Sequence, residues 1–437
     1  MKRKIYVCIA NCILLQSTSA LALSAYTANT IVGNAPRFTS EVNLSNFDSF
    51  GIRFTNDTDN EDYFIANPIQ IDVSGDTKLI SFSPILKTDN ESIYLDDDED
   101  LFDSISGLVT SQWYYISNGE TIAFTPTLND TFCSLAENGK PAPYIVTLSN
   151  DGALSLNSQF GLPRSTTYEH VTKTYIISPS VSICYVQPNL GNTHYSSHSN
   201  TQWTADKGFF PQTSGKNFPT TAFDQARFDL VTTHTDYIWQ VTQGQSIIQT
   251  DSSGYLPVSQ GKVSVIFKGA NKTQPTIPPY NQLGSGYPVT IIGTLENAPS
   301  ITYQFTIEKW FINNGNSVDD YTQAQSFCRS LNTDYRIPSL IELTNSVQAG
   351  GSSTGNSYTR KIDESLLAEW GALFDPNVDS GQAEAMGTGY VGSDWVNNFY
   401  WTNEEYTITA QYTVNSALGS VSNSTSSFPR RTACIYP

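Results

Sequence analysis

Ile301-Thr-Tyr-Gln-Phe-Thr-Ile307 and Lys309-Trp-Phe311, followed by Val318-Asp-Asp-Tyr-Thr-Gln-Ala-Gln-Ser-Phe-Cys-Arg-Ser-Leu331, form the stretch in which the chain changes its period. The first pieces alternate apolar and polar residues, as a half-buried strand does, whereas Val318, Tyr321, Ala324, Phe327 and Leu331 recur at helical spacing. Ser317 is placed as the N-cap, with Asp319 and Asp320 in the first turn, where negative charge meets the positive end of the helix dipole. A second helix opens at Ser339-Leu-Ile-Glu342, a capping box in which serine and glutamate each satisfy an unpaired amide of the first turn. Cys328 lies in the first helix and Cys434 close to the end of the chain. Two short helices followed by aromatic strands, bracketed by two cysteines, point to a recognition domain.

The other end indicates where such a domain works. Lys2, Arg3 and Lys4 precede an apolar run from Ile5 to Leu15, and Ser17-Thr-Ser-Ala-Leu-Ala22 supplies the small residues of a cleavage site. A secretory leader over residues 1–22 is expected, because a membrane anchor needs about 18 or more apolar residues. Cys8 and Cys12 leave with the leader, and Cys133, Cys184, Cys328 and Cys434 remain. An even number in an oxidising compartment argues for disulfides over reactive thiols. Three connectivities are open; pairing Cys133 with Cys184 and Cys328 with Cys434 is preferred because it keeps each bridge inside one apparent domain. By loop entropy each would stabilise its domain by roughly 4 to 5 kcal/mol, less strain. No Cys-x-x-Cys or Cys/His spacing favours a metal.

The 437 residues carry a formal charge of -18, which becomes -21 once the three basic residues of the leader are removed. Nucleic acid is excluded as a partner for want of a basic stripe, and such acidity repels anionic membranes. Tyr, Phe and Trp number 24, 22 and 7, a usage that fits strands better than helices. Strand-period segments recur at Pro68–Val73, Leu79–Phe82, Thr121–Thr125, Tyr144–Leu148 and Ser182–Val186, and again at Ala226–Leu230, Tyr237–Val241, Lys262–Phe267 and Val289–Ile292. The second group reads as a β-sandwich with Trp239 in its core. Between the groups, Gly191 to Asn200 is small and polar. The expected fold is mainly β: a leader over 1–22, a β-rich immunoglobulin-like N-terminal region over 23–190, a linker over 191–200, a sandwich over 201–312 and an α+β domain over 313–437. The strand through Lys309-Trp-Phe311 is expected to join the last two rigidly.

Particular motifs add a resemblance. Phe218-Pro-Thr-Thr-Ala-Phe-Asp-Gln-Ala-Arg-Phe228, Asp236-Tyr-Ile-Trp239, Tyr303-Gln-Phe-Thr306 and Lys309-Trp-Phe-Ile-Asn313 resemble the last immunoglobulin-like domain of invasin- and intimin-like adhesins of Gram-negative bacteria. Phe327-Cys-Arg, Tyr335-Arg-Ile-Pro-Ser-Leu-Ile-Glu-Leu-Thr344, Glu369-Trp-Gly-Ala-Leu373, Tyr400-Trp-Thr402 and Thr432-Ala-Cys434 are similar to the C-type-lectin-like domain that caps them. The resemblance covers most of the mature chain and is densest from Phe218 onward. It implies tandem immunoglobulin-like domains under a lectin-like head, and adhesion to a protein partner, either a host receptor or an outer-membrane invasin-type barrel. A leader that runs straight into soluble domains makes the chain similar to the exported immunoglobulin-like proteins of the Zir system, which work with a separate barrel. Passage through the periplasm to the cell surface or beyond is the implied location. A carbohydrate-binding lectin is the alternative, and a hydrolase with a carboxylate site the third reading.

No His-Glu-x-x-His, Gly-x-Ser-x-Gly or Walker loop occurs, so no catalytic residue, metal site or cofactor is assigned. His194 and His198 sit in the linker, and Gly350 to Gly355 reads as a connector. Asp96-Asp-Asp-Glu-Asp100 begins like a calcium loop but has Leu101 where such a loop needs glycine, so a solvated acidic turn is preferred. Asp375-Pro-Asn377 echoes a sugar-coordinating tripeptide without its surrounding motif. The ligand-binding candidates are Trp395, in the loop Gly392-Ser-Asp-Trp-Val-Asn-Asn398, and Tyr400 and Trp401 behind it, since aromatics anchor interfaces and stack on sugars.

Overall fold

Tyr144–Ser149 alternates buried and half-buried residues and takes the centre of a five-stranded sheet in the order Pro68–Ile71, Thr172–Pro179, Tyr144–Ser149, Thr110–Ser117 and Glu120–Phe124. The computed structural model describes residues 32–38, 50–55, 59–64, 68–71, 75–86, 94–150, 154–169, 171–191, 200–259, 261–346, 358–379 and 387–436. The leader, residues 192–199 with both linker histidines, and Gly350 to Gly355 lie outside them. Two three-stranded sheets pack with the five-stranded one around Phe54, Phe82, Trp113, Phe132, Tyr144 and Tyr175. This is the N-terminal domain.

The sandwich follows from the same period of two. Phe228, Leu230, Val263 and Val265 bury one face of a sheet in the order Trp203–Thr204, Gly208–Phe209, Ile183–Gln187, Arg227–Thr232, Lys262–Ile266 and Val258–Ser259. Trp239, Val241, Val289, Ile291, Tyr303 and Phe305 bury the inner face of the opposing sheet, Ile238–Gln243, Tyr287–Thr294 and Ile301–Ile307. Trp239 is the expected core tryptophan, at 1% exposure.

Two expectations are corrected here. Ile183–Gln187, expected within the N-terminal region that ends at residue 190, pairs instead with Arg227–Thr232 in the sandwich sheet. Strand period marks a strand but cannot say which sheet receives it. The Cys133–Cys184 bridge consequently joins two domains: Cys133 is on the N-terminal domain's helix Phe132–Glu137, and Cys184 is on the sandwich strand. Ala142 N–H to Thr233 O at 2.8 Å and Ser178 Oγ to His234 Nε2 at 3.0 Å tie the same junction.

The head grows out of the sandwich through one strand. Lys309–Asn313 pairs in parallel with Thr221–Phe223 and antiparallel with Ala433–Tyr436, so a single three-stranded sheet is shared. The helix Tyr321–Leu331 is bridged to the last strand by Cys328–Cys434. Its cap is Asp320, not Ser317: Asp320 Oδ1 accepts Gln323 N–H at 2.8 Å, and Gln323 Oε1 accepts Asp320 N–H at 3.0 Å. Asp319 is held extended by paired bonds with Arg430, so the helix cannot start earlier and Val318 stays exposed. The second helix, Leu340–Leu343, has the expected glutamate contact, Ser339 N–H to Glu342 Oε2 at 2.8 Å. Arg336 holds the Glu342 carboxyl down to about 2, against the upward push of burial. A sheet of Phe399–Thr407, Ala410–Asn415 and Val421–Thr425 completes the head.

Candidate functional site

Two buried charges clamp the head to the sandwich. Glu369, fully buried at the end of the helix Leu366–Trp370, accepts Thr220 N–H at 2.9 Å, Thr221 N–H at 2.8 Å, Asp363 N–H at 3.0 Å, Thr220 Oγ1 at 2.7 Å and Thr221 Oγ1 at 2.6 Å. Burial pushes its carboxyl up while these donors pull it down. Trp370 Nε1 donates to Thr221 O at 2.9 Å, and the Phe218, Phe223 and Tyr390 rings surround its indole. Arg360, also fully buried, donates to Asn189 O at 2.9 Å and Glu369 O at 2.7 Å and lies 3.9 Å from the Trp203 ring centre. Both charges are thus satisfied mainly on donors and acceptors other than each other, as a charge removed from water requires. At the surface Lys272 and Asp394 pair across the two domains at 2.7 Å. One hydrophobic core runs from Trp239 through Trp310 to Trp401, so sandwich and head pack as a single body.

None of the three aromatic candidates presents its ring to solvent. Trp395 is 1% exposed, with its ring against Phe223 and Tyr400 at 5.8 and 4.9 Å. Tyr400 is 1% exposed, and its hydroxyl accepts Val396 N–H at 3.1 Å. Trp401 is fully buried and donates Nε1–H to Asp319 O at 2.9 Å. The cause lies in Asp375. Its carboxylate accepts N–H groups from Asn377 at 2.9 Å, Gly392 at 2.8 Å and Asp394 at 3.2 Å, while its own N–H donates to Trp395 O at 2.7 Å. That ties the loop over the core and turns the indole inward. The same bonds occupy the carboxylate that the Asp375-Pro-Asn377 echo would need for a cation.

Exposure lies elsewhere on the head. Ile408, at the hairpin tip between Phe399–Thr407 and Ala410–Asn415, is 95% exposed, Phe428 53% and Tyr406 42%. Ser426 N–H donates to Thr409 O at 2.8 Å, bringing the turn before Phe428 beside the Ile408 tip. Arg430 lies 4.7 Å from the Phe428 ring centre, and partial burial pushes its pKa down. Sequence reading passed over this group because Phe428 stands 20 positions from Ile408 with two strands between them; alternation failing at the strand end was the available signal. In the N-terminal domain the acidic turn is used locally: Asp97 pairs with Arg37 at 2.8 Å and Asp96 Oδ1 accepts Asp98 N–H at 2.9 Å. Among the described residues no helix is long and apolar enough to cross a membrane.

The architecture is that of a mainly β chain in which a sandwich carries an α+β head. Among solved structures it is similar to invasin, described as a bacterial integrin-binding protein, at 15% identity and a TM-score of 0.36, over 87% of this chain and 62% of that one. It is also similar to intimin in the intimin–Tir90 complex, at 14% identity and a TM-score of 0.30, over 59% of this chain and 98% of that one. The adhesin InvE of Yersinia pseudotuberculosis follows at 9% identity and a TM-score of 0.17, over 78% of this chain and 90% of that one. The chain spans less than two thirds of the invasin structure. No protein-family model and no curated protein matches the chain.

Proposed function

We propose that this chain is an exported, non-enzymatic adhesion protein that engages a protein partner through its C-terminal pair, with the sandwich as a rigid support and the exposed end of the head as the contact surface. The observation that carries the reading is the group Ile408, Phe428 and Tyr406, with Arg430 stacked on Phe428, on a hairpin and turn fixed to each other by backbone bonds. Aromatic and arginine side chains on a preorganised surface lose little freedom on docking and are the usual hot spots of interfaces. A protein is favoured over a sugar because the one tripeptide that echoed sugar coordination has its carboxylate occupied by amides.

The test is saturable binding of the fluorescently labelled mature chain to cultured epithelial cells. Mild protease treatment of the cells abolishes it, whereas glycosidases and EDTA leave it unchanged. Loss after glycosidase alone shifts the reading to a lectin, and absence of saturable binding removes it.

A further inference from the structure

The outer face of the six-stranded sheet holds a polar cleft that shares no lining residue with the head's exposed end. Arg227 is opposite Ile266, Asp229 opposite Ser264, and Gln187 opposite Asp229 on the third strand. The head's segment 387–390 overhangs this face and, with residues 188–191, borders a half-open cleft of about 350 Å³. The wall is preformed. Asn189 Oδ1 accepts N–H from Gly191 at 3.1 Å and Thr388 at 3.2 Å, and Asn189 Nδ2 donates to Ala372 O at 3.0 Å. Gly387 has φ +84°, and a Cβ there would stand 2.1 Å from Asn189 Oδ1, so this approach requires glycine.

The polar groups inside are unequally satisfied. Lys262 Nζ donates to Gln187 Oε1 at 3.0 Å, and Gln187 Nε2 reaches Glu137 Oε1 at 2.9 Å, so that end of the cleft is partly neutralised. Asp229 Oδ1 accepts Ser264 Oγ at 2.7 Å and keeps its other oxygen free of protein bonds among the described residues. Arg227, half-buried in a chain of charge -18, has no side-chain hydrogen bond or ion pair among the described residues. Arg227 and Tyr390 of the overhang line the same cleft.

We infer that this cleft binds an acidic sugar, a pyranose bearing a carboxylate, with the carboxylate on Arg227 and ring hydroxyls on Asp229 and Ser264. A guanidinium fork matches a carboxylate bidentately. Hydroxyls both donate and accept, which suits an acceptor beside a serine, whereas a ligand that is all anion meets repulsion from Asp229. The volume is that of a small-ligand pocket. The site is distinct from the Ile408 surface, so it stands or falls independently of the protein-binding reading.

Calorimetric titration of the full mature chain with D-glucuronate, N-acetylneuraminate, D-glucose and an acidic hexapeptide tests it. At least one acidic sugar binds with a Kd on the order of 1 mM or tighter, and glucose at least about tenfold more weakly. Arg227→Gln weakens the acidic sugar at least about tenfold, and Arg227→Lys, which keeps the charge but not the fork, restores only part. Asp229→Asn weakens the sugar while the thermal midpoint stays unchanged. Absence of heat with both acidic sugars up to about 20 mM, or affinity indifferent to both Arg227 variants, overturns the proposal. So does binding of the hexapeptide alone.

Discussion

Replacing Glu369 by glutamine removes one charge and adds two hydrogens at the centre of the head–sandwich clamp. The wild-type carboxylate, itself 0% exposed, accepts three backbone N–H groups and two threonine hydroxyls, and the Thr220 and Thr221 donors are buried, so water is no substitute acceptor for them. In either amide orientation the new NH₂ faces at least one backbone N–H. If it takes the Oε2 position, the hydroxyl of Thr221 can turn to accept, but the Thr221 N–H is orphaned. A buried donor left unsatisfied costs about 1–3 kcal/mol, and charge-assisted bonds are about twice as strong as neutral ones. The expected loss is therefore about 2–4 kcal/mol for Glu369→Gln and more for Glu369→Ala, which orphans every donor and opens a cavity. Urea unfolding of the full chain followed by tryptophan fluorescence measures it, with the slope reported because several domains can unfold separately. The opposing effect is the desolvation of a buried carboxylate, which the neutral amide escapes. A Glu369→Gln midpoint within about 0.5 kcal/mol of wild type would show that desolvation wins and would refute the clamp.

Burial pushes His234 down to about 4, with Asp236 opposing, at the junction where its ring meets Ser178 and Thr233. The folded state holds the neutral ring and the unfolded chain protonates near 6.5, so stability is lost as pH falls from about 6.5 through about 4, by up to about 3 kcal/mol. Thermal melts between about pH 7.5 and 4.5, above the range where Glu342 titrates, should show this fall, and His234→Asn should flatten it. A wild-type curve as flat as the variant's contradicts the assignment. A protease site introduced at Tyr195 should nick the chain without releasing a fragment, even after reduction, because strand Ile183–Gln187 upstream of the cut stays between Gly208–Phe209 and Arg227–Thr232. Two species separating on native gel filtration would overturn that strand assignment. Trp395→Ala should destabilise the head by about 3–5 kcal/mol, the range for a large buried ring. A variant as stable as wild type with lost binding would return Trp395 to the surface.

The strands were legible wherever one face is buried, as along Tyr144–Ser149 and Ile301–Ile307, because alternation records burial directly. Partnership was less legible: Ile183–Gln187 reads as a strand in any sheet, and only its register with Arg227–Thr232 assigns it. The Cys133–Cys184 bridge was paired correctly for a reason that fails, since it crosses a domain boundary. Trp395 was misread because Gly, Ser and Asn in its loop signal exposure, while a carboxylate nearly 20 residues upstream gathers the loop's amides and turns the ring inward. Glu369 appeared only as part of a motif; its donors Thr220 and Thr221 lie about 150 residues away, beyond any local pattern.

The most direct test of the adhesion account is the same cell-binding titration performed with Ile408→Asp combined with Phe428→Ser, both of them exposed in the wild type. Loss of at least about tenfold in affinity is predicted, with the thermal midpoint unchanged because neither side chain belongs to the core. Undiminished binding by a folded double variant would contradict the placement of the contact surface at the end of the head.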